Sequence, residues 1–536
     1  MLTPVNKPNF SIRFDERKLD AVFADVNQHQ LPGAAVAMAI DGVPVYRKGF
    51  GLANIELPIL LAPTMRMRIG SITKHFSCLA YLLLCEEGKA ALDDEIGAYV
   101  PKLHASTGRR TIRELMGHIS GIRDILGISM LMHGTGRVLS DEDMAGYYER
   151  IDSVDFEAGT SWSYNNGGYI LLTAAIERIA GVRLDEVLRK RIFEPIGMHD
   201  TMLRRWDSDF VPNSATLHTL GPHGRYGRDY MGMEISGVGG MVSTMDDMLR
   251  WLKHMDAPTV GSTESWRLMT APLRLRNGRS TGYGLGLMTG HYRGVEILSH
   301  GGTLMGGHAM MMKVPAVGLD ISIATNRSDI VASTLAYRIV DSCVEGLRSM
   351  APGREVETRN AIFLSQTSGR MVELSTKDNR QFMSIDGGPA LPMVPDEEGA
   401  LQLPAEARFL QTSLMLDEHG ARLSQFGTED PMTIVERVAE AGLDGLAGEY
   451  YAADIDVTLQ VVEGVEDSRL MTRGRHGSAS FRLIPRTPLI WRAEPLGPLA
   501  SVGSAVTFSP DGSWLTFTSG RLDSMRFERR GSNDRP

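Results

Sequence analysis

The pattern of apolar residues changes near residue 350, and this change limits the possible folds more than any other feature of the chain. Before it, apolar residues recur with helical spacing through a long middle part, including residues 72–87. Strand-like segments flank this helical part on both sides, at residues 33–40, 43–50, 295–300, 308–314 and 319–325. We therefore expect an α+β domain whose antiparallel sheet is assembled from both ends of the region and packs against helices.

The carboxyl-terminal third has a different pattern. Residues 349–359 are polar, contain Pro352-Gly353 and are typical of a linker. Beyond them, short stretches alternate apolar and polar residues between turn signals, which is typical of small β-barrels or sandwiches. A weaker break at 440–442 divides this part in two. We predict three domains, at residues 1–348, 359–439 and 443–536, the last two being antiparallel β-barrels.

Composition excludes several classes of protein. The 536 residues carry a net charge of -9 with no long run of one sign, so we expect no nucleic-acid partner. The three cysteines, Cys78, Cys85 and Cys343, are too few for a disulfide framework and are typical of a reducing compartment. The sequence shows neither a secretory signal nor an apolar run of the ~18 residues that a membrane span needs. We expect a cytoplasmic protein with no membrane partner.

The first chemical motif is Ser71-Ile72-Thr73-Lys74, and Lys74 is the only lysine with a serine three residues earlier. It stands where a loop meets the long apolar helix. Residues i and i+3 share one helical face, so the Lys74 amine can reach the Ser71 hydroxyl. A serine needs such an adjacent base to become a nucleophile. Taken alone, the pattern is better explained by Ser71 as a helix N-cap and Lys74 as a solvated residue of the first turn.

The second motif is Tyr164-Asn165-Asn166, the only Tyr-x-Asn in the chain, which lies in a glycine-containing loop. A lysine cation nearby would favour the ionised form of Tyr164. This tyrosine could then act as a base toward Ser71.

The third motif is His300-Gly301-Gly302, the only His-x-Gly, at the end of an apolar stretch. Small residues on a strand allow a substrate backbone to approach and pair as an extra strand. We expect this segment to bind substrate along its edge.

The order Ser-x-x-Lys, Tyr-x-Asn, His-x-Gly resembles the penicillin-recognising serine hydrolases, the superfamily of class C β-lactamases and DD-peptidases. Flanking segments at 68–70, 111–124, 193–198 and 239–244 are also similar, so the resemblance covers about residues 15–348. It implies a β-lactamase-like catalytic domain, followed here by two lipocalin-like barrels. No metal-binding pattern of histidine or cysteine is present, and we expect neither metal nor cofactor.

The resemblance also implies roles for individual residues in a two-step acyl transfer. The implied catalytic residues are Ser71, Lys74 and Tyr164, and the implied substrate-binding residues are Asn166, His300, Gly302 and Thr303. Ser71 would attack the carbonyl carbon while Lys74 and Tyr164 share the proton transfer. The backbone N–H groups of Ser71 and Thr303 would form the oxyanion hole. Asn166 would orient Lys74 and the substrate amide.

One departure separates branches of the superfamily. Most β-lactamases and DD-carboxypeptidases carry a lysine at the position of His300, whose charge helps to bind a carboxylate, and a neutral histidine does this less well. A His-x-Gly motif followed by two β units is similar to the D-aminopeptidases. In those enzymes a loop of the last domain offers an acidic residue to the substrate ammonium. The corresponding loop is expected at 491–504, where Glu494 is the only acidic residue. Either Glu494 supplies this charge or free amino termini are not selected.

We therefore expect a serine peptidase or amidase that hydrolyses small peptides or amino-acid amides with D- or unusual residues, and we allow for a homodimer. Three alternatives remain open. The first is a peptidase of longer linear peptides, resembling the linearised-microcystin enzyme. The second is a carboxylesterase or weak β-lactamase. The third is a catalytically silent peptide-binding protein.

Overall fold

The computed structural model describes residues 10–228, 230–349, 358–404, 407, 410–438, 440–464, 467–496, 503–520 and 522–531. Its helices are α1 Glu16–Val22, α2 Thr73–Glu86, α3 Ala105–Gly108, α4 Ile112–Met116, α5 Ile125–His133, α6 Asp141–Gly146, α7 Gly167–Ala180, α8 Leu184–Leu188, α9 Glu194–Ile196, α10 Met245–His254, α11 Thr263–Thr270 and α12 Ala332–Cys343. None of these helices combines the length and apolar character that a membrane span requires.

Strands of the first part of the chain form one large sheet and several short pairs. They are β1 Ser11–Ile12, β2 Ala34–Ile40, β3 Val43–Phe50, β4 Leu52–Asn54, β5 Ile59–Leu60, β6 Met67–Arg68, β7 Met202–Leu203, β8 Thr219–Leu220, β9 Tyr226–Gly227, β10 Met241–Ser243, β11 Met288–Tyr292, β12 Val295–Leu304, β13 Gly307–Val314, β14 Leu319–Thr325 and β15 Val344–Glu345. The large sheet has the order β11-β12-β13-β14-β2-β3, and every neighbouring pair is antiparallel. The predicted sheet built from both ends of this region is therefore confirmed.

Two details of this sheet differ from the prediction. Strand β11 was not predicted, because its residues Met-Thr-Gly-His-Tyr do not alternate between apolar and polar side chains. The strand expected to end at His300 continues to Leu304, through the two glycines of the third motif. His300 therefore lies within a strand and not at its end.

Apolar side chains alternate between the two faces of the sheet and join two separate cores. On β13, Met310 and Met312 pack into the core beneath α1 and α12, whereas Ala309 and Met311 face the core that contains α2. Helix α2 is buried along most of its length because the sheet covers one side of it and α7 and α11 pack on others. The start of α2, where the Ser-x-x-Lys motif lies, is thereby held between the sheet and α7.

The remaining strands close two antiparallel barrels of eight strands each, as predicted. The first barrel contains β16 Ala361–Leu364, β17 Met371–Lys377, β18 Arg380–Ile385, β19 Leu391–Pro395, β20 Leu401–Gln402, β21 Thr412–Leu416, β22 Gly420–Gln425 and β23 Thr428–Val435. The second contains β24 Gly448–Ala452, β25 Val457–Val462, β26 Ser468–Gly474, β27 Ser480–Pro485, β28 Ile490–Pro495, β29 Ser504–Phe508, β30 Trp514–Ser519 and β31 Leu522–Arg529. Most of the predicted linker at 349–359 lies outside the described residues.

The loop predicted at 491–504 is wrong over its first part. Residues Ile490–Pro495 form β28, which pairs with β27, and Trp491 is buried in the barrel. Ser504 begins the next strand, and residues 497–502 lie outside the described residues. The alternation of buried Trp491 and Ala493 with Arg492 and Glu494 is a strand pattern that the nearby glycines and prolines obscured.

Both barrels contact the first domain. The side chain of Thr472 in the second barrel donates a 2.6 Å hydrogen bond to the carbonyl of Met132 at the end of α5. Buried Arg123 donates to Asp155 at 2.5 Å and also to the backbone carbonyl of Asp523 in the second barrel. Asp155 in turn accepts from the Asp523 amide at 3.1 Å. These contacts anchor the second barrel beside the segment that precedes α5.

Candidate active site

The nucleophile candidate lies in a tight turn before α2. Gly70 has φ +55°, a left-handed conformation that favours glycine, and residues Gly70–Ile72 form a 3-10 turn. The Thr73 hydroxyl closes the turn by donating a 2.7 Å hydrogen bond to the Gly70 carbonyl. Ser71 is partly exposed at this turn, whereas Lys74 is fully buried beneath it. The hydroxyl is therefore open to a substrate while the amine is shielded from water.

The Lys74 ammonium group contacts three separate parts of the fold. Its Nζ lies 3.2 Å from Ser71 Oγ, 2.8 Å from Asn166 Oδ1 and 2.8 Å from the carbonyl oxygen of Val238. These contacts place the amine within proton-transfer distance of the serine hydroxyl. The first two partners were predicted from the sequence. The Val238 carbonyl was not, because a backbone acceptor does not depend on the type of side chain.

The second motif brings an aromatic ring to the same amine. Lys74 Nζ lies 4.9 Å from the centroid of the Tyr164 ring and 5.2 Å from that of Tyr169, within the range of a cation–π interaction. The His118 ring packs at 4.3 Å from the Tyr164 ring, and its Nδ1 accepts a 3.0 Å hydrogen bond from the Asn165 amide. Tyr164 is thus held between the amine and a histidine that the sequence analysis did not single out.

Asn166 is positioned by a buried carboxylate at the start of α7. Asp124 Oδ1 accepts hydrogen bonds from the amides of Asn166 at 3.1 Å and Gly167 at 3.0 Å, where the positive end of the helix dipole favours a negative charge. The neighbouring Asn165 side chain donates to the Ile122 carbonyl at 2.6 Å. The segment 122–124 therefore fixes the loop that carries Asn166. It falls within a flanking match of the sequence analysis, which assigned it no role.

His300 lies near Tyr164 but faces the protein interior. Its Nδ1 lies 2.6 Å from the Gly301 carbonyl, which can only accept, so Nδ1 carries the proton. Its Nε2 then accepts from the Tyr283 hydroxyl at 3.0 Å. Burial lowers the pKa of His300 to about 3, so the ring is neutral at pH 7. A neutral, buried imidazole cannot replace a lysine as the partner of a substrate carboxylate.

Gly302 and Thr303 border the turn that carries Ser71, the nucleophile candidate. A Cβ on Gly302 would lie 1.9 Å from the Ile69 carbonyl oxygen, so only glycine fits there. A Cβ on Gly70 would lie 3.0 Å from the Thr303 amide nitrogen, which shows how closely that N–H approaches the turn containing Ser71. Because β11 pairs with β12 only as far as Ser299, the following edge has no strand partner on that side among the described residues. This is the geometry that an incoming extended substrate requires.

Glu494 already has cationic partners within the second barrel. Its carboxylate lies 2.5 Å from Arg482 and 3.1 Å from Arg492, and the bond from Arg482 lowers the pKa of Glu494. The structure thus brings together the residues of the three motifs, whereas Glu494 forms its contacts on a barrel strand.

An aromatic contact from the first barrel completes the wall beside Tyr164. The Phe426 ring stacks on Trp162 with centroids 3.8 Å apart, and the Trp162 amide donates to the Thr428 hydroxyl at 3.0 Å. Trp162 in turn lies within aromatic contact distance of Tyr164 and Tyr283. This cluster could not be predicted from the sequence, because Trp162 and Phe426 lie far apart in the chain.

Comparison with known proteins relates most of the chain to one family. The Beta-lactamase family model matches residues 19–341. D-aminopeptidase from Brucella anthropi is 26% identical over 463 residues, covering 84% of this chain and 85% of that protein. D-aminopeptidase from Gluconobacter oxydans is 26% identical over 447 residues, covering 81% and 82%.

Among solved structures, the octameric penicillin-binding protein homologue from Pyrococcus abyssi aligns over 96% of this chain and 100% of its own, with a TM-score of 0.56 and 20% identity. This likeness extends the shared fold through both barrels. Since the family model spans more than half of the 536 residues, the chain belongs to the beta-lactamase family.

Proposed function

We propose that the chain is a serine hydrolase that cleaves peptides or amino-acid amides of D-residues through an acyl-enzyme on Ser71. The observation that carries this proposal is the 3.2 Å contact between Lys74 Nζ and Ser71 Oγ, at a hydroxyl open to the surface and an amine closed to it. The preference for D-residues is supported by the relatives named D-aminopeptidase, which match over most of both chains.

Each motif has a place in the proposed reaction. The Ser71 hydroxyl attacks the scissile carbonyl carbon and its proton passes to the pair formed by Lys74 and Tyr164. That proton then moves to the leaving nitrogen as the C–N bond breaks. Water adds to the resulting ester, the acid is released and Ser71 regains its proton. The N–H groups of Ser71 and Thr303 stabilise the oxyanion of both tetrahedral intermediates, and removal of one such donor typically costs ~3 to 4 kcal/mol.

Asn166 and the glycine strand supply orientation. The Asn166 amide oxygen holds Lys74, which leaves its NH₂ group to donate to a substrate carbonyl. Gly302 allows the strand edge to approach the turn, and the buried His300 fixes that edge through Tyr283. Glu494 stays a candidate for binding a substrate ammonium only if a substrate displaces its two arginines.

The activity test compares the two enantiomers of alanine p-nitroanilide. We expect release of nitroaniline from the D-amide at a rate at least tenfold above that of the L-amide, and none from the Ser71→Ala variant. Equal rates on both would contradict the D-preference. Rapid turnover of short acyl esters without amide cleavage would favour a carboxylesterase. Failure of every acylating reagent to modify Ser71 would favour a binding protein.

We further propose a cytoplasmic location, a homodimer and domain limits at 1–348, 359–439 and 443–536. The free cysteines, two of them buried, support a reducing compartment. The hairpin of β4 and β5 exposes Leu57 by 65% and Leu60 by 68%, which supports association through this surface. Light scattering of the wild type and of Leu60→Glu tests the dimer, and limited proteolysis between residues 348 and 359 tests the first boundary.

A further inference from the structure

A cavity of about 470 Å³, open to solvent on one side, lies between the first domain and the second barrel. It is lined by the segment His133–Arg137 after α5, by Tyr230, by Met305 and by Ser478 of the second barrel. Because two domains contribute to its wall, the cavity exists only when the second barrel is docked.

The cavity is close to the reacting centre. Met305 follows Thr303 by two residues at the tip of the β12–β13 hairpin, so at most ~7 Å of chain separates the oxyanion-hole candidate from the cavity wall. On the other side, the Gly232 amide donates to the Thr135 carbonyl at 2.9 Å. This bond connects the lining segment to the stretch of chain that leads to Val238, whose carbonyl accepts a hydrogen bond from Lys74.

Strand direction decides which part of a substrate would reach the cavity. A peptide on the open edge of β12 takes the place of a continued β11, and every neighbouring pair in this sheet is antiparallel. Residues that precede the scissile carbonyl then extend toward the carboxyl end of β12, where Met305 lies. The acyl side of the substrate therefore points into the cavity.

The charge of the cavity comes from one residue. Arg137 is its only charged lining side chain in the described part of the chain, since burial lowers the pKa of His133 to about 4 and keeps that ring neutral. No described carboxylate forms an ion pair with Arg137. Arg137 is exposed, and the second barrel approaches only its stem, since a Cβ on Gly477 would lie 2.9 Å from Arg137 Cγ and 3.1 Å from its Nε.

None of the described residues that line the cavity carries a carboxylate that could pair with a substrate ammonium. Glu494, the acidic residue expected to bind a substrate ammonium, is paired with Arg482 and Arg492 on its own barrel. We propose that the cavity is the subsite for the acyl side of the substrate and that Arg137 selects a carboxylate there, such as an N-dicarboxyl cap or an acidic side chain, over a free ammonium. This inference rests on the proposed acyl transfer at Ser71.

The test uses three substrates that differ only at the amino group: D-alanine p-nitroanilide and its N-acetyl and N-succinyl derivatives. We expect the succinyl compound to have a KM about tenfold or more below that of the acetyl compound, because its carboxylate can form one charge-assisted hydrogen bond with Arg137. Arg137→Ala should remove this difference with little change in kcat, and Arg137→Lys should restore part of it. Arg276→Ala, which removes an exposed arginine paired with Glu157, is the matched control.

A second measurement separates the subsite from the reaction. Calorimetry of N-succinyl-D-alanine binding to the full-length Ser71→Ala protein needs no turnover, so it reports on the cavity even if none of the anilides is cleaved. We expect Arg137→Ala in that background to weaken binding about tenfold. Unchanged binding, or a wild-type preference for the free amine over the succinyl compound, would overturn the proposal.

Discussion

Replacing Gly302 by alanine tests the approach of β12 to the nucleophile turn. The new Cβ would lie 1.9 Å from the Ile69 carbonyl oxygen and 3.2 Å from Gly70 Cα. Contacts with backbone atoms below 3.0 Å do not persist, so strand and turn must separate by about 1 Å. This shift moves the N–H groups of Ser71 and Thr303 apart, so that they can no longer both donate to one oxyanion. Loss of one oxyanion donor costs ~3 to 4 kcal/mol of barrier, so we expect kcat/KM to fall by ~10² to 10³.

The neighbouring glycine supplies the control. A Cβ on Gly301 would meet nothing closer than the Ala309 carbonyl oxygen at 3.8 Å, so Gly301→Ala should keep its activity within a few-fold. Both variants would be assayed for anilide hydrolysis and for the rate of Ser71 acylation, with thermal unfolding to detect the ~1 to 3 kcal/mol that overpacking costs. Equal activity of Gly302→Ala and Gly301→Ala would refute the reasoning.

Three further changes probe the surroundings of the site. Phe426→Ala removes a buried ring stacked on Trp162, so it should lower the melting temperature and also lower kcat/KM about tenfold, measured at a temperature where the variant is still fully folded. Arg123→Met leaves the buried Asp155 carboxylate without its cation and should reduce the free energy of unfolding by ~3 to 5 kcal/mol in urea titrations. The pKa of His300 is about 3 in the native protein against 6.5 when unfolded, so the native state binds fewer protons between these values and stability falls as the pH drops from 6.5 to 3. His300→Gln should make that decline shallower in acid-unfolding curves, and an unchanged slope would contradict the buried, neutral ring.

The sequence was sufficient to predict the family, the antiparallel sheet and the two barrels. The three motifs can be recognised from the spacing of their residues alone. Ser71 and Lys74 were expected to lie close together because residues i and i+3 share one face of a helix. Closed barrels follow from short strands with regular turns. The family match and the paired strands confirm these predictions.

Contacts between distant segments could not be predicted in the same way. The position of the proton on the His300 ring depends on the Tyr283 hydroxyl and on the Gly301 carbonyl. The spacing of residues in the sequence does not reveal either contact. The Phe426 contact depends on how the first barrel docks. Glu494 was assigned to a loop because glycine and proline follow it, although pairing with β27 places it on a strand.

The central claim is that one hydroxyl becomes an ester. Intact-protein and peptide mass spectrometry after brief exposure to a D-alanine thioester tests it most directly, with Lys74→Ala as the comparison. We predict a single alanyl adduct on the peptide containing Ser71, formed at least 10³-fold more slowly without the Lys74 amine, in keeping with the usual contribution of an activating base. An adduct on another residue, or hydrolysis that continues at the wild-type rate in Ser71→Ala, would contradict the account.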